Sequence, residues 1–242
     1  MSANAKNLFR KLSISCKDCS LGELCIPHDL DQVDIERLDD SVNHTKLLHT
    51  GDVLYEQGAS FKSLYAVKSG SVKICASQEG SGDTVMGIYL PGEVIGFDGL
   101  STERHQCTIS ALETSSICEI NLDDLQKNIP TIFRKLLKHA SKRINQSRDV
   151  FSANKQSAEK RIVLFLLDLS KRYQQRGYVY TEFNLLLTRS ELGELLDLTP
   201  ETVSRGLRKI ERDQLISIQN QRHIKIIDLD GLNRLVKIEK ES

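Results

Sequence analysis

Residues Thr188 to Ile216 read TRSELGELLDLTPETVSRGLRKIERDQLI, and their spacing predicts two short helices joined by a tight turn. Leu192, Leu195 and Leu196 give the first helix an apolar face, and Gly193 allows a close helix approach. Leu198-Thr199-Pro200 then stops one helix and starts another, since Thr199 suits an N-cap and Pro200 the first helical position. In the second helix Val203, Leu207 and Ile210 recur by four and three and should pack inward. Glu201, Ser204, Arg205 and Arg208 fall on the opposite face, the first three within the opening turns. Those turns of a helix-turn-helix recognition helix are the part that meets base edges in the major groove. Arg can fork onto guanine O6 and N7, Glu can accept from cytosine N4, and Ser adapts to several partners. LISIQNQRHIKIID, residues Leu215 to Asp228, follows as a two-stranded wing. Together these features point to DNA binding.

Working outward, the segment before this motif holds a helix with apolar Ile162, Phe165, Leu166 and Leu169 and a short strand, FNLLL. From Leu122 to about Asn154 the pattern is helical. Phe133, Leu137, Ala140, Ile144, Ser147 and Phe151 alternate by four and three along it, a narrow coiled-coil-like seam that predicts a partner helix. From Leu47 to about Ile120 short apolar pieces (VLYEQG, SLYAVKSGSVKICAS, TVMGIYLPGEVIGF, TISALETSSICEI) are punctuated by glycines, the pattern of an all-β sandwich or roll.

Charge divides along the same lines. The net charge is zero, yet residues 1–126 carry 10 Lys/Arg against 19 Asp/Glu, residues 127–154 carry 7 against 1, and residues 155–227 carry 13 against 9. An anionic partner should therefore meet the second half of the chain. No apolar run approaches a membrane span, and the first residues, MSANAKNLFRKLSIS, lack the apolar stretch of a secretory signal. A cytoplasmic location is expected, where thiols are kept reduced and six cysteines are not a disulfide framework.

Cys16 to Cys25, CKDCSLGELC, places three thiols in ten residues as C-x2-C-x5-C. A soft-metal site wants a fourth, and Cys75, Cys107 and Cys118 are all available. Four thiolates suit either a [4Fe–4S] cluster or structural zinc, although a five-residue second gap is less typical of a zinc knuckle. The six histidines are scattered and no phosphate-cradling glycine loop appears, so the expectation is a non-enzyme.

LYAVKSGSVK, LPGEVIGFDGL, ALETSSICEI and LTRSELGELLDLTPETVSR together resemble the CRP/FNR superfamily of bacterial transcription regulators along nearly the whole chain. The resemblance implies an α+β protein: an N-terminal β-roll (a cyclic-nucleotide-binding-like jelly roll), a long dimerisation helix and a C-terminal winged helix-turn-helix. The expected divisions are a cysteine-rich segment at 1–28, the roll at 29–121, the dimerisation helix at 122–154 and the DNA-binding domain at 155–242. The superfamily's nucleotide cassette is broken here, with Phe97 in place of the ribose-binding Glu and His105 or Gln106 in place of the phosphate-binding Arg, while Arg104 lies close but outside the motif. A regulator of this kind sensing a cyclic nucleotide, with a four-cysteine zinc site, is the alternative reading. The cysteines instead resemble those of the FNR subgroup, which implies Cys16, Cys19, Cys25 and Cys118 as ligands of a [4Fe–4S] cluster. Cys75 and Cys107 are left as buried small apolar residues. The subgroup further implies an oxygen-responsive regulator of anaerobic genes that pairs as a homodimer and works with RNA polymerase. Its DNA site is an inverted repeat of TTGAT-like half-sites, with Arg205 on guanine, Glu201 on the facing cytosine, Ser204 on a thymine and Arg189 on phosphate. Subgroup members often carry an acidic residue where an ungapped alignment places Ser147, and this chain departs from them there.

Overall fold

Strands within residues 42–121, whose successive side chains take opposite faces, build two sheets. The computed structural model describes residues 15–26, 30–78, 82–129, 132, 134, 136–141, 144, 145 and 156–237. By its contacts the chain divides into one unit of residues 1–74 with 88–141 and a second of residues 75–87 with 142–242.

The roll begins after helix α1 (Gln32–Ser41), whose N-cap Asp31 accepts from the Asp34 N–H. Strands β1 (Val42–Leu48), β2 (Val53–Tyr55), β3 (Ser63–Ser69), β4 (Val72–Gln78), β5 (Gly82–Tyr89), β6 (Val94–Ile95), β7 (Thr108–Ala111) and β8 (Ser115–Asn121) follow. They form sheets ordered β1-β8-β3-β6 and β2-β7-β4-β5. On β3, Tyr65 and Val67 face a core shared with Tyr55, Ile109 and Ile117, while Leu64 and Ala66 face a second core on the sheet's other side. That second core holds Ile26, Leu38, Ile120, Leu125, Ile129, Ile132 and Leu136. A period of two demands this split, because successive strand residues point to opposite faces.

After β8 the chain enters helix α2 (Leu122–Asn128), capped by the Asn121 side chain, which accepts from the Asp124 N–H. The single helix expected over 122–154 is interrupted there. Ile129 has φ −136° and ψ 77°, outside the helical region, as the residue before a proline (Pro130) prefers. Beyond it Ile132, Arg134, residues 136–141, Ile144 and Asn145 are helical. Leu125, Ile129, Ile132 and Leu136, spaced four, three and four, are buried against the roll.

The second unit contains α3 (Ala158–Gln175), β9 (Glu182–Asn184), α4 (Arg189–Leu196), α5 (Pro200–Arg212), β10 (Ile216–Gln219), β11 (His223–Ile226) and α6 (Leu229–Lys237). Ile162, Leu166 and Leu169 of α3, Leu192 and Leu196 of α4 and Val203, Leu207 and Ile210 of α5 are buried, as their spacing predicts. The wing has three strands rather than two, ordered β10-β11-β9, because β9 adds along β11. No helix among the described residues is long and apolar enough to cross a membrane.

Candidate functional site

Two sets of residues are brought together, one in each unit. In the second unit, α4 starts with a capping box: Thr188 Oγ1 accepts from the Glu191 N–H at 3.2 Å, and the Glu191 carboxylate accepts from the Thr188 N–H at 2.8 Å. The helix ends on Asp197 in the left-handed region (φ 54°), and the Leu198 N–H returns to the Gly193 carbonyl at 2.9 Å. A Cβ on Gly193 would lie 2.5 Å from the Leu198 carbonyl oxygen, so the turn between the helices requires glycine there. Thr199 caps α5 by accepting from the Thr202 N–H at 3.2 Å, with Pro200 opening the helix.

This brings Glu201, Arg205 and Arg208 to the exposed face of α5, with Ser204 half-buried beside them. The Arg205 guanidinium donates to Thr202 Oγ1 at 3.2 Å, and that hydroxyl lies 3.0 Å from Thr199 Oγ1. A chain of hydroxyls from the helix cap therefore holds the one side chain best suited to guanine. Ser204 donates its hydroxyl to the Pro200 carbonyl at 2.9 Å, leaving an acceptor rather than a donor for a base. A hydrogen bond to its own backbone, then the Thr199 side chain and the Arg205 charge, lower the Glu201 carboxyl below its ordinary range. Arg189, the expected phosphate contact, donates from its guanidinium to the Gln221 carbonyl of the wing turn at 2.7 Å. Asn220 and Gln221 both have positive φ, 48° and 61°, in the three-residue turn that joins Gln219 to its strand partner His223. Burial, followed by the charge of Arg222, lowers the Arg189 pKa. Thr202 was missed by sequence reasoning, although its spacing of three from both Thr199 and Arg205 is a legible signal.

In the first unit, Cys16, Cys25 and Cys118 pack against the same core as Leu125, Ile129, Ile132 and Leu136. Cys118 pairs with Thr45 on one side and Ala66 on the other, in the interior of its sheet. Parity puts it on the outer face with Ile120, opposite to Ile117. Cys16 opens a single 3-10 turn, Cys16–Asp18, and a run of turns brings the Cys25 N–H to the Leu21 carbonyl at 2.9 Å. Burial of Leu21 and Ile26 fixes the end of this segment.

Burial dominates the state of three of these thiols. Burial first, then Asp39 and the neighbouring Cys25 and Cys118, push the Cys16 thiol far above its ordinary value. Cys25 is pushed up to about 12 by burial, with Cys118 and Cys19 adding to the shift. Burial also raises Cys118, which Cys19 and Asp39 push further and Lys68 partly offsets. Among the described residues, no group of three or more His, Cys, Asp or Glu is drawn close enough to hold a single metal ion. Three thiols on one apolar wall, with Cys19 in the same segment as two of them, match a thiolate-bound group in donor chemistry. Asp39 is the residue here that the sequence did not disclose: it accepts from the Cys16 N–H at 2.6 Å and from the Ser15 hydroxyl. A separation of 23 residues carries no periodic signal.

Cys75 and Cys107 are buried, and Cys107 is not simply apolar, since its thiol donates to the Asp98 carboxylate at 3.1 Å. Along the seam, Leu137 and Ile144 are exposed, at 68% and 62%, and Ala140 is half-buried. Phe133, Ser147 and Phe151 lie outside the described residues.

Two family models match the chain: a cyclic nucleotide-binding domain over residues 45–130 and a Crp-like helix-turn-helix domain over residues 160–235. The anaerobic regulatory protein of Haemophilus influenzae is 36% identical over 232 residues, covering 94% of this chain and 90% of that protein. The fumarate and nitrate reduction regulatory protein of Escherichia coli K12 is 34% identical over 239 residues, covering 95% of each. Among solved structures, FixK2 from Bradyrhizobium japonicum superposes with a TM-score of 0.72 at 22% identity, covering 79% of this chain and 96% of that one, a likeness of fold.

Proposed function

This chain belongs to the CRP/FNR superfamily of transcription regulators, in the branch of the fumarate and nitrate reduction regulators, and from that premise we propose that it is an oxygen-responsive homodimer governed by a [4Fe–4S] cluster. Its relatives are transcription regulators, not enzymes, and the second unit carries a DNA-binding motif. In the proposed mechanism Cys16, Cys19, Cys25 and Cys118 hold the cluster, which when bound supplies a reactivity toward oxygen that side chains lack. A structural zinc site is the chemical rival, and the resemblance of the four cysteines to the pattern of that branch favours the cluster.

The observation that carries the reading is the shared core. Cys16, Cys25 and Cys118 pack on the same hydrophobic cluster as Leu125, Ile129, Ile132 and Leu136, the buried stripe from which the seam-bearing helix departs. Ligation at Cys118 and Cys25 would act on that stripe, and Leu137, exposed just beyond it, begins the seam offered to a second copy of the chain. A signal at the thiols can shift a monomer–dimer equilibrium only by its differential free energy between the two states. Dimerisation then sets two copies of α5 at the spacing of an inverted repeat with TTGAT-like half-sites. Arg205 reads guanine, Glu201 the facing cytosine and Ser204 a thymine, and RNA polymerase is the further partner, in the cytoplasm.

The test is to purify the protein without air and record its visible spectrum, iron and sulfide before and after oxygen. Iron and sulfide near 1:1 that disappear with oxygen are expected, as is their loss in Cys118→Ala but not in Cys75→Ala or Cys107→Ala. Tightly bound zinc without iron would overturn the cluster reading.

A further inference from the structure

We propose that Asp39 is the positioning residue of the thiol site, a clamp on α1 that presets where Cys16 stands relative to Cys25 and Cys118. Both oxygens of its carboxylate are committed to two adjacent residues of the cysteine segment: Oδ1 accepts from the Cys16 N–H at 2.6 Å, and Oδ2 accepts from the Ser15 hydroxyl. Ser15 is itself the cap of the following 3-10 turn, its Oγ accepting from the Lys17 N–H at 3.1 Å. The carboxylate thus holds the turn from the outside while the turn holds its own first residue.

The two ends of the segment are anchored by different means. At the far end the apolar side chains of Leu21 and Ile26 are buried, and Cys25 follows them into the core. At the near end Cys16 packs on that core too, but among the described residues its chain neighbours Ser15, Lys17 and Asp18 bring no apolar side chain with it, the last two being exposed. Hydrogen bonds to Asp39 set the backbone of that end. The platform is firm: Leu38, one residue before Asp39, is 1% exposed in the same core as Ile26, so the helix that offers the carboxylate is seated beneath the segment it clamps. A negative charge beside a set of thiolates works against them, so the use of Asp39 lies in its two acceptors rather than in its charge. Asn keeps an acceptor for the Cys16 N–H and Ala keeps none.

This inference deepens the proposed cluster site, but its first test needs no metal. Full-length protein is stripped of metal without air, and backbone hydrogen exchange over residues 15–26 is followed together with the alkylation rate of each thiol. Asp39→Ala should speed exchange at the Cys16 amide about tenfold or more and expose Cys16 to alkylation ahead of Cys25, with exchange in α5 and the thermal midpoint unchanged. Asp39→Asn should stay close to the parent, and Ser15→Ala, a milder change, should fall between. Unchanged exchange in Asp39→Ala, or an Asn variant as loose as the Ala variant, overturns the clamp. The second arm is anaerobic loading with iron and sulfide, where Asp39→Ala should assemble the visible absorption about tenfold more slowly than Asp39→Asn. Loading of Asp39→Ala at the parent's rate overturns it as well. A parent that takes up no iron while Asp39→Ala still loosens the segment refutes the cluster and upholds the clamp, so the two failures are distinguishable.

Discussion

Replacing Arg205 by Ala should separate recognition from folding, because the side chain is exposed and holds little of the fold. Arg205 is exposed on α5, between buried Val203 and Leu207, and within the chain it gives up one hydrogen bond, 3.2 Å to Thr202 Oγ1. Surface interactions of that kind change stability by no more than about 0.5 kcal/mol, so the melting curve should barely move. On DNA, a fork onto guanine contributes about 1–3 kcal/mol of discrimination. In the free protein the guanidinium is already held by Thr202 and lies beside the Glu201 carboxylate. Binding therefore exchanges contacts rather than adding them, and the lower part of the range, about 1–2 kcal/mol per half-site, is expected. For a dimer on two half-sites this doubles to about 2–4 kcal/mol, roughly thirtyfold to a thousandfold in affinity. The assay is fluorescence anisotropy at fixed salt, with cluster-loaded protein kept from air and an inverted repeat in which each base pair of TTGAT is changed in turn. The Ala variant should lose its preference at the G·C pair and keep it elsewhere. An Ala variant that still discriminates at that pair would refute the assignment of this face.

Three further outcomes follow from the geometry. Gly193→Ala should destabilise by about 1–3 kcal/mol, since its Cβ meets the Leu198 carbonyl oxygen at 2.5 Å, whereas Gly206→Ala meets only the end of the Ile162 side chain at 2.4 Å and should cost less; thermal melts of the two variants give the order. Because Cys25 is pushed up to about 12 from 9.0, its thiol is protonated at neutral pH and ligation must expel the proton, so affinity for zinc or iron should rise with pH by up to about tenfold per unit for each such thiol, and a flat profile in chelator competition between pH 6.5 and 8.5, values near the neutral range, would contradict the protonated site. Ile144→Glu should remove DNA binding with the cluster intact, and Ser147→Leu should raise dimerisation of the metal-free protein by filling a polar gap in the seam, both read by sedimentation; a metal-free parent that is already a constitutive dimer would leave oxygen to act by reorienting the DNA-binding domains.

What could be read from the sequence was local. Val203, Leu207 and Ile210 announce their burial by spacing, Thr199 and Pro200 announce the start of α5, and each is within four residues of its partner. The break at Ile129 was also local and was overridden by the long apolar repeat around it, although Pro130 signals it. The third wing strand was half visible: FNLLL predicts a strand, but its pairing of Phe183 with Ile224 crosses the whole helix-turn-helix. Asp39 gave no signal. Its bonds reach back 23 and 24 residues, and on its own helix it is one more acid among Asp31, Asp34, Glu36 and Asp40. Cys118 sits between these extremes, because alternation along β8 fixes which face it takes but not what waits on that face.

The roll's own interior argues for placing the sensor at the thiols. In the stretch that resembles the superfamily's nucleotide cassette, the Asp98 carboxylate accepts from the Tyr55 hydroxyl at 3.2 Å, the Gln106 N–H at 2.8 Å and the Cys107 thiol at 3.1 Å. His105, 2% exposed, stacks on Tyr55 with ring centroids 3.6 Å apart, and its Nδ1 lies 3.4 Å from Asp98. Arg104, the nearby cation, instead donates to the Gly58 carbonyl at 2.8 Å. A phosphodiester seated against this group would have to part the His105–Tyr55 stack and meet an anion where the family's pattern supplies a cation. Two like charges about 4 Å apart near a protein surface repel by about 4 kcal/mol, and a missing Arg fork forfeits a charge-assisted pair on top of that. Together these terms remove several orders of magnitude of affinity. Asp98, Tyr55, His105 and Cys107 are paired with one another in that stretch, which supports the proposed sensor at the cysteine segment on the roll's outer face.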